Sequence, residues 1–129
     1  MVRVQEVVVD CAEPAELARF WAEVLDARWG LVDPDWAVVD AEPVLVCFQR
    51  VPEPKSSPKN RLHLDLLVAD VRSALARAER LGAEATGAAE LDGDGDGYLV
   101  MRDPEGNEFC LVADGKGRWA AALQRALGN

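Results

Sequence analysis

The second half of the chain retraces the plan of the first. Glu6-Val-Val-Val-Asp-Cys-Ala-Glu-Pro lies over His63-Leu-Asp-Leu-Leu-Val-Ala-Asp-Val. In each copy a strand-like run meets an acidic residue and passes into a helix. Near the helix ends, Val24-Leu25-Asp26-Ala27 lies over Arg80-Leu81-Gly82-Ala83 after a slip of one residue. Repetition at this scale means one supersecondary unit used twice, and each half reads β-α-β-β-β.

The elements follow from spacing. Residues 2–11 are β-branched and read as a strand. Pro14 suits the first turn of a helix, and Leu17, Phe20, Trp21, Val24 and Arg28 follow at helical spacing with Leu25 beside Leu17 and Trp21. Strands are expected near 28–32 and 36–40 around Val32-Asp33-Pro34-Asp35, and again over 44–51. The Pro-, Ser- and Lys-rich stretch 52–60 is a loop joining the halves. Residues 61–69 form the next strand, Asp70 caps a helix carrying Val71, Ala74, Leu75, Ala78 and Leu81, and Gly82 stops it. Strands 98–102 and 107–113 meet at the tight turn Asp103-Pro104-Glu105-Gly106. A final helix places Trp119, Ala122, Leu123, Ala126 and Leu127 on one face.

At 129 residues, half of them hydrophobic, the chain fits one globular domain. Its units are 1–54, 61–114 and a C-terminal helix over 115–129. No apolar run reaches the ~20 residues of a membrane span. The N-terminus enters a strand-like run without a signal-peptide layout, so a cytoplasmic protein is expected, with no membrane partner. A net charge of -9 argues against nucleic acid, which needs a basic surface. It favours a cationic or neutral ligand. Cys11, Cys47 and Cys110 are an odd number with no CxxC spacing, which suggests free thiols.

Four stretches carry a family resemblance: Asp10-Cys-Ala-Glu-Pro-Ala-Glu-Leu-Ala-Arg-Phe-Trp, Phe48-Gln-Arg-Val-Pro-Glu-Pro-Lys, Lys59-Asn-Arg-Leu-His-Leu-Asp-Leu and Asp103-Pro-Glu-Gly-Asn-Glu-Phe-Cys. With the repeat, they resemble the vicinal oxygen chelate superfamily, which includes glyoxalase I, extradiol dioxygenases, fosfomycin-modifying enzymes and bleomycin-sequestering proteins. The resemblance implies an α+β fold of paired βαβββ modules, a cupped mixed sheet with helices on its convex side, and a homodimer in which Trp119 is a candidate contact. It is specific for fold and weak on chemistry, because one fold hosts many activities.

Strand parity separates two faces. Val7, Val9, Cys11, Val46, Phe48, Leu64, Leu66, Val68, Phe109, Leu111 and Ala113 share an apolar face expected beneath the helices. Glu6, Val8, Asp10, Cys47, Gln49, Arg61, His63, Asp65, Glu108 and Cys110 share the other, where a ligand, solvent or partner must satisfy the polar groups. Superfamily enzymes hold a metal at four positions, on the first and last strand of each module. The resemblance places Glu6, Cys47, His63 and Cys110 there.

Such a set suits zinc better than iron or manganese. Two readings follow. In the first, the protein binds a small molecule on the concave face without an obligatory metal, with Cys47, Gln49, Arg61, Asp65, Glu108 and Cys110 as contacts and His63 as a hydrogen-bonding or acid–base group. In the second, it is a lyase or isomerase of the glyoxalase I type. There Glu6 and His63 are catalytic, and Glu6, His63 and Cys110 hold a divalent metal, zinc by preference.

Three other features are weighed. Asp92-Gly-Asp-Gly-Asp-Gly resembles half a calcium loop but reads better as a polar hairpin turn. Arg50, Lys55, Lys59 and Arg61 surround the central loop as steering charges or as simple solvation. Trp29, Trp36, Tyr98 and Trp119 are rim or core aromatics.

Overall fold

The computed structural model describes residues 1–128. The elements run β1 (Glu6–Cys11), α1 (Pro14–Leu25), β2 (Trp29–Asp33), β3 (Trp36–Asp40), β4 (Leu45–Arg50), β5 (Leu64–Leu67), α2 (Val71–Arg80), β6 (Glu84–Leu91), β7 (Gly97–Arg102), β8 (Glu108–Ala113) and α3 (Arg118–Leu127). Each half is β-α-β-β-β. The strands form two four-stranded mixed sheets, ordered β1-β4-β3-β2 and β5-β8-β7-β6, rather than one continuous sheet. In each, the first strand pairs parallel with the last and the other pairings are antiparallel.

The helices begin and end as local chemistry dictates. Pro14 opens α1, where a missing N–H costs nothing. Asp70 caps α2, its carboxylate accepting from Arg72 N at 2.9 Å and Ser73 N at 3.4 Å. Both helices stop at a left-handed residue, Asp26 (φ 52°) and Gly82 (φ 111°), the equivalent positions of the repeat. The N–H groups of Ala27 and Ala83 then return to Ala22 O and Ala78 O, satisfying end carbonyls.

The core lies where parity puts it. Val46, Phe48, Cys11, Phe109, Leu111 and Ala113 are buried with Leu17, Phe20, Trp21, Val71 and Met101. Val9, Leu64, Leu66 and Val68 pack against this cluster. Phe20, Trp21 and Phe109 meet edge-on across the two halves, with centroids 4.9–6.2 Å apart. Fully burying a side chain such as Phe48 or Phe109 stabilises by roughly 1.5–3 kcal/mol. Two polar contacts also lock the halves. The Glu105 carboxylate accepts from Ala12 N and Glu13 N at 2.8 and 2.9 Å, capping α1 from the other module. Arg77 of α2 donates to Glu23 O at 2.7 Å.

Several expectations need correction. The first strand covers 6–11 and not 2–11, because residues 1–5 have no neighbouring strand to pair with. The strand expected over 61–69 shrinks to 64–67, so Arg61 and His63 precede it. The third strand of the second half, unplaced by sequence, is β6. Its Ala, Thr and Gly content hides the usual strand signal, and a register shift between Ala85 and Ala89 interrupts it. Val7 lies outside the buried cluster and instead lines a cleft of about 870 Å³. That cleft runs from β1 to the loop before β5.

Candidate functional site

Register makes the proposed ligand positions symmetric. Val8 pairs with Cys47 on β4 and Asp65 pairs with Cys110 on β8. Glu6 and His63 each lie two residues earlier, which puts them on the same face as those cysteines. All four positions therefore occupy the face away from the helices. They settle into two separate groups.

In the first half, Cys47 is 1% exposed, although sequence placed it in an open bowl. It stands outside the main core cluster because Glu6 and Trp36 cover it from the other side. Hydrogen bonds from Gln5 and from the Cys47 thiol hold the Glu6 carboxyl below its usual value. Burial, reinforced by Glu6, pushes the Cys47 thiol up to about 11. A protonated thiol on a carboxylate is a satisfied pair and not an open ligand set.

The second half gathers three donors. His63 Nε2 stands 3.2 Å from Asp65 Oδ1. One ligand atom each from His63, Asp65 and Cys110 lies within 4.8 Å of the others. Parity alone spaces His63 and Asp65 a full repeat apart. His63 falls just outside the regular strand, which frees its ring to reach Asp65. Burial and the neighbouring Asp65 raise the Cys110 thiol. His63 and Asp65 keep about half or more of their side-chain surface exposed (47% and 61%), so the cluster is open to a ligand.

Of the remaining positions, Glu108 shares β8 with Cys110, whereas Asp10 and Gln49 belong to the sheet of the first half. Glu108 is mostly covered, and its buried Oε1 has Lys59 Nζ at 3.2 Å. Gln49, Asp10 and Arg61 are exposed. His63, Arg61, Lys55 and Lys59 line the cleft between the halves. Arg50 is not free to steer anions, because it pairs with Asp35 at 2.8 Å and Glu13 at 3.7 Å.

The Asp92–Gly97 turn holds an ammonium and not a vacant calcium loop. Lys116 Nζ lies 2.9 Å from Asp92 and 2.6 Å from Asp94, and Asp96 accepts from Gly115 N and Lys116 N. The Lys116 charge holds Asp92 down to about 2. Asp103, the twelfth position of that motif, is buried elsewhere, 3.1 Å from Trp21 Nε1. Trp21 is core, Trp29 is half-buried with the Arg19 guanidinium 5.7 Å from its ring, and Trp36 covers Cys47. Tyr98 and Trp119 are exposed.

A metal of the kind the superfamily uses finds a partial fit. The nitrogen, oxygen and sulfur of His63, Asp65 and Cys110 suit zinc. Glu6 is not among them, and Cys110 must first lose a proton that burial retains.

The chain matches the model of the glyoxalase-like domain over residues 6–112. No curated protein matches it in sequence. Solved structures share its fold. A glyoxalase/bleomycin resistance protein/dioxygenase family enzyme from Burkholderia phytofirmans superposes with a TM-score of 0.73 at 16% identity, covering 87% of this chain and 98% of that one. The fosfomycin resistance protein FosX from Listeria monocytogenes gives 0.69 at 12%, covering 88% and 94%. TioX from a Micromonospora species gives 0.62 at 20%, covering 87% and 98%. No helix among the described residues is long and apolar enough to cross a membrane.

Proposed function

From the premise that this chain belongs to the glyoxalase-like domain family of the vicinal oxygen chelate superfamily, we propose that it binds a small molecule on the open face of its second module. The carrying observation is that exposed His63 and Asp65 and half-buried Cys110 converge within 4.8 Å on a face no helix covers. A small cluster of aimed polar groups beside apolar surface is what orients a bound ligand. The exposed Asp65 carboxylate and a net charge of -9 favour a cationic or neutral ligand. No metal is obligatory in this reading. The protein works in the cytoplasm as a homodimer, with 1–54 and 61–114 as its modules and α3 as an appended helix, residue 129 lying outside the described residues.

A second reading has its own support. The same trio is a mixed N, O, S donor set with an open side, which is how catalytic zinc is held. Zinc there would supply Lewis acidity for lyase or isomerase chemistry. Glu6 is then the residue the arrangement does not serve, because it is tied to Cys47.

Elemental analysis and calorimetry separate the readings. Metal-free protein is titrated with bleomycin and fosfomycin, the drugs in the names of its structural relatives, and with zinc. Binding of bleomycin by metal-free protein, weakened at least tenfold in His63→Ala, supports the first reading. Stoichiometric zinc after purification, lost in His63→Ala and Cys110→Ala, supports the second. Binding of neither drug nor zinc, or binding indifferent to His63→Ala, refutes the assignment of the site.

A further inference from the structure

Helix α3 is presented but not packed. Asp114 fixes its start by accepting from Trp119 N at 3.0 Å and Ala120 N at 3.1 Å. Beyond that none of its residues is buried, and it lies along no other element for any length. Trp119, Leu123 and Leu127 are four residues apart and 62%, 40% and 70% exposed. They form one apolar stripe. A helix of ten residues is marginal in water without a face to bury. The stripe therefore calls for a surface that it does not meet among the described residues of its own copy.

The charge of this segment is opposite to that of the body. From Gly115 onward the chain holds three of its 14 Lys and Arg and none of its 23 Asp and Glu. A complementary surface lies on the open face of the second module. Leu67 pairs with Val112, Val112 with Tyr98, and Tyr98 with Glu90. Leu67 and Tyr98 are 78% and 39% exposed. This apolar strip crosses three strands at about 4.8 Å spacing and ends at a carboxylate. Its span of roughly 10–14 Å matches the ~15 Å length of a ten-residue helix.

We propose that α3 docks on the Leu67–Val112–Tyr98 strip of a second copy of this chain, each helix reciprocally walling the partner's open face beside His63, Asp65 and Cys110. The inference rests on the homodimer proposed above and assigns its surface. Reciprocal docking is the self-complementary contact of a two-fold dimer. An anionic lipid surface is the competing occupant for a basic, Trp-bearing helix, but the acidic body attached to it opposes that approach.

The test is analytical ultracentrifugation of the full chain, read beside flotation with phosphatidylserine-containing vesicles. The wild type sediments at twice its 14.0 kDa mass, and neither it nor any variant floats. Trp119→Glu/Leu123→Glu and, separately, Leu67→Glu weaken the dimer at least 100-fold, while Leu31→Glu on β2 does not. Unchanged near-UV circular dichroism of the Leu67→Glu variant shows that its body is intact. Arg118→Glu/Arg125→Glu weakens the dimer about tenfold, and added salt weakens the wild type. A dimer that survives both Leu67→Glu and Trp119→Glu/Leu123→Glu overturns the docking surface and leaves the homodimer standing. A monomeric wild type overturns both, and flotation lost with Trp119→Glu/Leu123→Glu assigns the stripe to lipid instead.

Discussion

Replacing Asp103 with alanine should cost about 2–3 kcal/mol of folding stability, a sizeable share of the ~5–15 kcal/mol typical of a domain. The carboxylate is 4% exposed and joins the two modules. It accepts from Trp21 Nε1 of α1 at 3.1 Å, from Glu105 N and Asn107 N at 2.9 Å, and from Asn107 Nδ2 at 3.1 Å. A hydrogen bond to a charged acceptor contributes roughly 1.5–3 kcal/mol, and bonds sharing one acceptor do not add. After truncation the turn donors can recruit water. Trp21, itself 4% exposed, cannot. Its orphaned N–H makes the loss larger than a surface turn would show.

Asp103→Asn keeps one acceptor oxygen and turns an NH₂ toward existing donors, so about half the loss is expected. Trp21→Phe removes one bond and some buried ring, for about 1–2 kcal/mol. Urea unfolding followed by far-UV circular dichroism measures each, and the double variant gives the coupling. A loss under about 1 kcal/mol for Asp103→Ala, or strict additivity with Trp21→Phe, would refute the reasoning.

Three further outcomes are expected. Gly97→Ala should lose roughly 1–3 kcal/mol of thermal stability, because φ is 131° and a Cβ would meet Glu90 O at 1.9 Å; an unchanged Tm contradicts the β6–β7 geometry. Cys110 should react first with a thiol reagent at pH 8, since Cys11 and Cys47 are buried with thiols raised to about 11; equal rates for the three would contradict this. Asp92 is held down to about 2 by Lys116, so its contribution is complete above the unfolded value near 4 and disappears as pH falls toward 2. The stability gap between wild type and Lys116→Met should close over that window, and a gap independent of pH would exclude the pairing.

Period-2 and helical spacing are properties of local sequence, and they located both modules, their helices and most of the buried face. β6 escaped because its Ala and Gly residues carry no apolar alternation. The burial of Cys47 escaped because what covers it, Trp36, arrives from a neighbouring strand. The capping of α1 by Glu105 spans 92 residues and leaves no local signature. At the site, parity named His63, Asp65 and Cys110 as sharing a face, and β5–β8 register is what sets Asp65 opposite Cys110. Separating Glu6 from them required knowing that β1 and β5 belong to different sheets.

His63 is the only histidine of the chain, so its imidazole can be observed alone in a long-range ¹H–¹⁵N spectrum. During titration of metal-free protein with bleomycin and then zinc, the account predicts that this ring responds to at least one of them. The response should saturate at one equivalent per chain, and Asp65→Ala with Cys110→Ala should diminish it. An imidazole that stays unmoved while either probe binds elsewhere would contradict the placement of the site on the open face of the second module.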